Sequence, residues 1–336
     1  MAIAIVVNKK MAEEVKEKLI ELSLLDDTRR IKRYDDKVEI PVKKIPDIEI
    51  DFEVVKQNEY ISRKKFVPFE EVKNMLRKKI SENDFKNLPR KWEKFGDVLI
   101  LKMDKIEKKK KVAKVYAKVL KCKSVLEDVG GIKGIERKPF FNFVYGNDAL
   151  TIHIENGIKY KFDASKIMFS SGNIDERIRM AKIAEKNETV VDMFAGIGYF
   201  TLPIAVYSKS KVYACEINPI AYEFLKENIS INGVNGLVEP ILGDCRIVAP
   251  RRVADRVIMG YFNSIDFLEH AIEILKKRGI IHFHQKCRKE DFPEKVLEEI
   301  KKICKKHKKK VDVLFYRKIK SYAPHIVHGV IDLKIS

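Results

Sequence analysis

The chain predicts an α/β fold whose C-terminal half is a doubly wound, mostly parallel sheet preceded by small α+β units. Three observations carry this. From residue 177 onward, strand-like and helix-like segments alternate at regular intervals. The run Val190-Val-Asp-Met-Phe-Ala-Gly-Ile-Gly198 ends a β-branched stretch on Asp192 and turns through Gly196-x-Gly198, the pattern of a strand passing tightly into a helix. The tail supplies two further strands, 311–318 and 326–335, joined through Tyr322-Ala-Pro-His325.

In chain order, 2–7 reads as a strand, 11–25 as a helix with Val15, Leu19, Ile20 and Leu24 at helical spacing, and 38–42 as a returning strand. Pro41, Pro46 and the polar stretch 47–63 place the end of a small leading unit at residue 62, with a linker following. A second unit, 63–165, opens with an amphipathic helix over 69–80 and a turn at Gly96-Asp97 that feeds a buried strand. Between Lys105 and Lys123 the residues Ile106, Val112, Val115, Tyr116, Val119 and Leu120 keep near-helical spacing, so the lysines form an outer face able to track phosphates. Residues 151–161 read as a hairpin around Asn156-Gly157. The third unit, 166–336, contains helices over 177–184, 199–207, 219–231, 265–276 and 293–306. They alternate with strands over 190–194, 212–216, 238–242, 255–259 and 280–284.

Lys and Arg number 68 against 49 Asp and Glu in 336 residues, a net charge of +19. A positive field of that size makes a polyanion, nucleic acid above all, the expected partner. A charged fraction of 35%, with Gln57 and Gln285 the only glutamines, also describes a thermophile's surface, which accounts for charge density but not for its one-sided sign. The five cysteines show no C-x-x-C spacing, which points to a reducing cytoplasm. No apolar run reaches 18 residues and no signal pattern opens the chain, so neither a membrane span nor secretion is expected. Cys304-x-x-His307 lacks two further ligands, and no metal site is expected. His282 and His284 share one side of a strand and read as structural histidines.

Ligands in such sheets bind beyond the carboxyl ends of the strands. Four segments meet that edge: the 192–198 turn with Phe194, Glu216, Gly243-Asp244-Cys245, and Met259-Gly260-Tyr261. Glu216 ends its strand at the distance where an acidic residue accepts from ribose hydroxyls, which points to an adenosine-bearing ligand. A dinucleotide site wants a third glycine where Thr201 or Leu202 stands, and Asp192 would repel a pyrophosphate but suits a sulfonium. S-adenosylmethionine is therefore the expected co-substrate, with Asp244 accepting from the adenine amino group and the sulfonium near Gly196 and Gly198. The closing pair of strands is typical of the methyltransferase version of this fold.

The segment Lys166-Ile-Met-Phe-Ser-Ser-Gly-Asn-Ile-Asp-Glu-Arg177, the run 192–198 and the closing Lys320-Ser-Tyr-Ala-Pro324 resemble a known group. They are similar to the archaeal class I methyltransferase-like Rossmann enzymes that modify the tRNA base 3′ of the anticodon. That group holds guanine N1-methyltransferases and the wybutosine-synthesising aminocarboxypropyltransferases. The resemblance runs from about residue 89 onward, and the leading unit resembles the small domain with which the methyltransferases grip the tRNA elbow. It implies co-substrate contacts from Ser170, Arg177, Glu216, Asp244 and Cys245, with Arg177 suited to a carboxylate. After the fourth strand the methyltransferases carry Asn-Leu-Pro or similar, whereas this chain reads Met259-Gly260-Tyr261, as the aminocarboxypropyltransferases do. The resemblance thus implies an archaeal enzyme that transfers the 3-amino-3-carboxypropyl group to C7 of 4-demethylwyosine at position 37 of tRNA-Phe; a cytoplasmic monomer is expected, although the sequence leaves the oligomeric state open. A tRNA guanine-37 or wyosine methyltransferase is the alternative, which the leading unit keeps open, and a vestigial RNA-binding protein is a third reading that the intact turn argues against.

Overall fold

Val190, Val191, Val212, Val257, Ile258, Ile281 and Phe283 have no solvent exposure, the near-continuous apolar character of strands covered on both faces. They form the middle of a seven-stranded sheet in a computed structural model that describes residues 2–57, 67–134 and 137–336. The strand order is Val238–Leu242, Lys211–Glu216, Thr189–Asp192, Ala254–Met259, Leu275–Arg288, Ile326–Ile335, Val311–Ala323. The first five run parallel. Ile326–Ile335 is inserted antiparallel between Leu275–Arg288 and Val311–Ala323, the expected closing pair. Alternation along each strand feeds two cores. Val190 packs with Met180, Leu202 and Leu225 on one face, and its neighbour Val191 packs with Leu268, Ile281 and Ile300 on the other. The chain starts this sheet at its centre, winds to one edge and returns on the other side of Thr189–Asp192. That switch point leaves a crevice at the strand ends.

The expected helix over 265–276 is shorter. A 3-10 turn, Ser264–Phe267, leads into Leu268–Ile274, and Leu275 already pairs with Ala254 across a bulge. A Cβ at Gly279 would stand 2.6 Å from the Asp255 carbonyl oxygen, so the glycine lets the two strands close up beyond that bulge. Strand Val311–Ala323 likewise outruns the expected 311–318.

Residues 72–336 form one compact unit, so the expected division at residue 165 is replaced by a shared core. Phe95, Val98, Leu126, Tyr160 and Phe162 belong to the same apolar cluster as Ile197, Val212 and Leu225. The hairpin Leu150–Glu155 and Ile158–Asp163 turns through Asn156 and Gly157, both at positive φ as a type I′ turn requires. Its second strand is held by helix Pro219–Ile231 and the residue that follows it. Lys161 N donates to Asn228 Oδ1 at 2.7 Å and Asn228 Nδ2 donates to Lys161 O. Asn232 repeats both bonds with Lys159. Two side-chain amides four residues apart thus imitate a neighbouring strand.

A four-stranded sheet, Glu93–Phe95, Val98–Leu101, Ser124–Lys133 and Lys138–Tyr145 in that order, completes the unit. The last two strands have no simple sequence signature, because Gly130-Gly131 and a bulge between Asp128 and Ile132 break the two-residue alternation. Helix Lys109–Leu120 buries Val112, Ala113, Tyr116 and Ala117 and leaves Lys110, Lys114, Lys118 and Lys121 exposed, as its spacing predicts. No acidic residue opens it. Instead the fully buried Asp84 accepts from Glu107 N at 2.8 Å and Lys108 N at 3.1 Å, a carboxylate cap supplied from another helix.

The other unit, Met1–Glu71, has helix Ala12–Glu21 on a sheet ordered Lys32–Arg33, Lys37–Val42, Ile3–Asn8, Glu53–Lys56 around Ile5, Val7, Val15, Leu19 and Ile40. Glu53–Lys56 falls in the polar stretch 47–63, within the expected leading unit, and pairs with residues 3–6. The expected boundary at residue 62 lies outside the described residues. No helix among the described residues is long and apolar enough to cross a membrane.

Candidate functional site

The crevice at the switch point is a cavity of about 440 Å³ in the larger unit. Its floor is the turn after Thr189–Asp192. Gly196 has φ +58° and donates its N–H to Glu216 Oε2 at 2.7 Å, while Asn218 N donates to Glu216 Oε1 at 2.7 Å. A carboxylate has about four lone-pair directions. Each oxygen accepts a backbone N–H here, and the carboxylate also faces the cavity, which suits a vicinal diol. Burial pushes the Glu216 carboxyl above its ordinary pKa, with the backbone N–H groups of Asn218, Gly196 and Ile217 opposing that rise. A Cβ on Gly196 would strike the ring of Tyr199, itself a cavity wall, and one on Gly198 would meet Leu202 at 2.6 Å. Gly196 therefore preserves the wall, whereas Gly198 lets the following helix pack.

Asp192 has another role than the one expected. It is fully buried beneath the turn, accepting from Phe194 N at 3.2 Å and from Thr201 Oγ1 at 2.7 Å, and it does not line the cavity. Desolvation pushes its pKa up to about 6. It holds the turn's shape. Met259 is also turned away, into the core, while Gly260 and Tyr261 face the cavity.

Asp244 and Cys245 also line the cavity. Asp244 caps the short helix that follows, accepting from Arg246 N at 2.9 Å, and the Arg246 guanidinium forks its two oxygens. That fork holds the Asp244 carboxyl below the usual range. The Arg246 side chain is half-exposed, and both residues line the cavity. Phe194 stacks on Tyr261 at 5.2 Å between centroids and meets Phe267 edge-on at 5.0 Å, making an aromatic wall beside it.

Ser170, Asn173 and Arg177 line the cavity as well. Arg177 is buried, and its Nε and one terminal nitrogen grip Glu155 at 2.5 and 2.6 Å. The guanidinium expected to hold a ligand carboxylate is thus already paired with a protein one. Ser170 Oγ accepts from Lys320 Nζ at 2.7 Å. Arg137, from the turn between Ser124–Lys133 and Lys138–Tyr145, reaches over the Phe262 ring at 4.4 Å, and both line the cavity.

Of the expected site residues, Ser170, Arg177, Phe194, Gly196, Glu216, Asp244, Cys245, Gly260 and Tyr261 meet in this one cavity, and Asp192, Gly198 and Met259 do not. Arg137, Asn173, Tyr199, Asn218, Arg246, Phe262 and Phe267 line it without having been singled out. Asn218, Arg246 and Phe262 follow expected residues by one or two positions, so adjacency was a usable signal. Arg137 had none.

Three family descriptions match successive parts of the chain: the tRNA methyltransferase 5 N-terminal domain over residues 4–50, the TYW2 N-terminal domain over 72–149, and the TRM5/TYW2 methyltransferase domain over 151–314. The break between the last two falls within the larger compact unit. A tRNA(Phe) (4-demethylwyosine(37)-C(7)) aminocarboxypropyltransferase from Pyrococcus horikoshii is 44% identical over 267 residues, 79% of this chain and 96% of that one. The tRNA (guanine(37)-N(1))-methyltransferase Trm5b of Pyrococcus abyssi is 36% identical over 342 residues, the whole of both chains. The crystal structure of P. horikoshii TYW2 in complex with MeSAdo superposes with a TM-score of 0.72 at 41% identity, covering 80% of this chain and 99% of that one. The seven-stranded sheet, the cavity at its switch point and these matches agree: the chain belongs to the TRM5/TYW2 family.

Proposed function

We propose that this protein transfers the 3-amino-3-carboxypropyl group of S-adenosylmethionine to C7 of 4-demethylwyosine at position 37 of tRNA-Phe. One observation carries the choice within the family. The wall after the fourth strand is Gly260-Tyr261, with the Tyr261 ring stacked on Phe194, where the methyltransferases' Asn-Leu-Pro would place a polar amide. The TYW2-type segment over 72–149 and the 44% identity to an aminocarboxypropyltransferase point the same way.

In this reaction the ring carbon attacks the methylene attached to sulfur. A C–C bond forms, the S–C bond breaks with its electron pair going to sulfur, and the ring proton leaves to solvent, giving methylthioadenosine. The protein's task is alignment, since the sulfonium is already an activated electrophile. Glu216 offers its remaining acceptor capacity to the ribose hydroxyls. Gly196 N–H, held by Glu216, keeps the floor flat beneath the sulfonium. The Phe194, Tyr261 and Phe267 rings, with Asp244 and Cys245, frame the adenine. The tRNA is drawn by the net charge of +19, and the exposed lysines 110, 114, 118 and 121 and the leading unit supply phosphate contacts.

The match of residues 4–50 to the methyltransferase leading domain, and of the full chain to Trm5b, favours N1-methylation as the second reading. Two preparations of S-adenosylmethionine, one labelled in the methyl group and one in the carboxyl carbon, separate the two. With tRNA carrying the tricyclic base, carboxyl label should enter RNA and methyl label should leave in methylthioadenosine. Methyl label in RNA would overturn the assignment.

A further inference from the structure

Tyr322 stands where the edge strand Val311–Ala323 is irregular. Ser321 pairs with Val327 and Ala323 with Ile326, so Tyr322 has no partner residue in the ladder and forms a bulge. A bulge re-aims a side chain, and this one leaves Tyr322 48% exposed at the end of its strand. The turn that follows, Pro324-His325, is tied down by Lys289 N donating to His325 O at 2.8 Å, so the bulge is held by the ladder before it and the turn after it. The Tyr322 and Phe262 rings meet edge-on with 5.2 Å between centroids, and Phe262 lines the cavity. One aromatic contact thus joins the cavity to the surface. Phe262 is already covered, by Arg137 over its face at 4.4 Å and by the buried His328 edge-on at 5.0 Å. Tyr322 is the ring with open surface. Lys286, whose backbone N–H donates to Phe262 O at 2.9 Å, sets its ammonium 4.7 Å from the Tyr322 centroid and 5.9 Å from that of Phe262. Among the described residues, neither Arg137 nor Lys286 pairs with a carboxylate. An exposed ring flanked by unpaired cations is the composition of a platform for single-stranded nucleic acid, whereas protein-docking faces are depleted in lysine.

We infer that Tyr322, braced by Phe262 and flanked by Lys286, takes the face of a nucleobase adjacent to the one being modified. This rests on the tRNA reading above and extends it to a second nucleotide. A base whose ring carbon is to react inside a walled cavity must first leave its stack. Its withdrawal strips a neighbouring base of one stacking face, and an aromatic ring fixed beside the cavity replaces what was lost. The Phe262–Tyr322 contact sets the spacing between the two bases, and the Lys286 ammonium is placed for the phosphate that joins them. Every base has a π-face, so the contact fixes the path of the strand without reading its sequence. Tyr322 is thus a positioning residue for the RNA.

Steady-state transfer by the full chain to tRNA carrying the tricyclic base, with calorimetric titration of S-adenosylmethionine alongside, tests this. Tyr322→Ala should raise KM for tRNA about 10-fold, the loss of one base–aromatic stack, and leave S-adenosylmethionine affinity within about twofold. Tyr322→Phe and Tyr322→Trp should keep a KM near the wild type, since the ring acts and not the hydroxyl. Lys286→Gln should raise it about threefold, the share of an exposed cation beside a ring. A tRNA lacking the base on one side of the tricyclic one should show the Tyr322→Ala loss already in the wild type, and on it Tyr322→Ala should cost nothing further. Unchanged KM, a Phe variant as poor as the Ala variant, or a Tyr322→Ala loss that persists in full whichever neighbouring base is removed would overturn the inference. A parallel loss of S-adenosylmethionine affinity would make Tyr322 a brace for the cavity wall and overturn it too. Wild-type protein that binds S-adenosylmethionine but modifies no tRNA would remove the proposed function, and the inference with it.

Discussion

Two sets of buried charge around the seven-stranded sheet are bonded in opposite ways. At the carboxyl ends of the parallel strands, the Glu216 carboxylate accepts only from backbone N–H groups and faces the cavity. A second set, which runs from the antiparallel pair of strands back to Arg256 on Ala254–Met259, is closed on itself. Glu176, with no exposure, accepts from both Arg179 and Arg317, and Arg179 continues to Asp332. Asp332 meets His282 at 2.6 Å, His282 meets Arg256 at 2.7 Å, and Arg256 ends on Glu188. A buried charge whose bonding capacity is filled by protein holds structure, and one with capacity left over is aimed at a ligand. His284 and His328, packed together at 3.1 Å, stay outside this network: His284 Nε2 and His328 Nδ1 have no hydrogen-bond partner, and burial first, then neighbouring charges, drives both imidazoles far below their ordinary pKa, His284 to about 3, so both are neutral.

The largest effect that sharpens this comparison belongs to the closed side. Glu176→Gln leaves two guanidiniums facing one amide in a buried site, and breaking such a cluster costs about 3–5 kcal/mol. Denaturant unfolding should show that loss, while the folded variant binds S-adenosylmethionine as the wild type does. A variant that keeps its stability but loses the ligand would place Glu176 on the open side and break the distinction.

On the open side the order reverses. Glu216→Gln keeps one oxygen for a backbone N–H, sets its NH2 against the other backbone N–H, and leaves the ribose hydroxyls without a charged acceptor, at a cost of about 1–3 kcal/mol of binding. The midpoint of unfolding should move much less than for Glu176→Gln. Unchanged affinity in a folded protein would remove Glu216 from the ribose.

The difference between the two sides also explains what could be read from the sequence. The open side is local: strand, glycine turn and acidic residue lie within about 20 residues, a spacing set by one strand–helix–strand unit. The hairpin at Asn156-Gly157 and the lysine face of helix Lys109–Leu120 were legible for the same reason, since turn chemistry and helical period act over a few residues. The closed network joins Glu176 to Arg317 and Arg179 to Asp332 across more than half the larger unit, and nothing local to either residue announces its partner. Arg137 enters the cavity from a bulged hairpin with no alternation to reveal it. Arg177 was read by type, as a carboxylate holder, and it is one; the carboxylate is Glu155, from a hairpin strand placed beside it only by the fold.

Asp192 tests the boundary, because it sits under the open side but is bonded like the closed one. In the folded chain its pKa is pushed up to about 6, against about 3.9 for an ordinary aspartate. The folded state therefore holds a proton that the unfolded chain has released between those values, so stability from this group is complete below about pH 4 and is lost as pH rises through 6. Asp192→Asn removes the loss, and its amide can still accept from Phe194 N and face Thr201. The variant should exceed the wild type by about 1–2 kcal/mol at pH 7.5, with the gap closing toward pH 4 in unfolding series at both values. Binding gives the finer reading. If the carboxylate were placed to attract the sulfonium, Asp192→Asn would weaken S-adenosylmethionine at neutral pH. Because both oxygens are directed at Thr201 and Phe194 and the residue does not line the cavity, affinity should change by less than about 0.5 kcal/mol. A larger loss would show that the field of a bonded, buried carboxylate still reaches the ligand, and that counting filled lone pairs is too strict a rule for separating the two sets of charge.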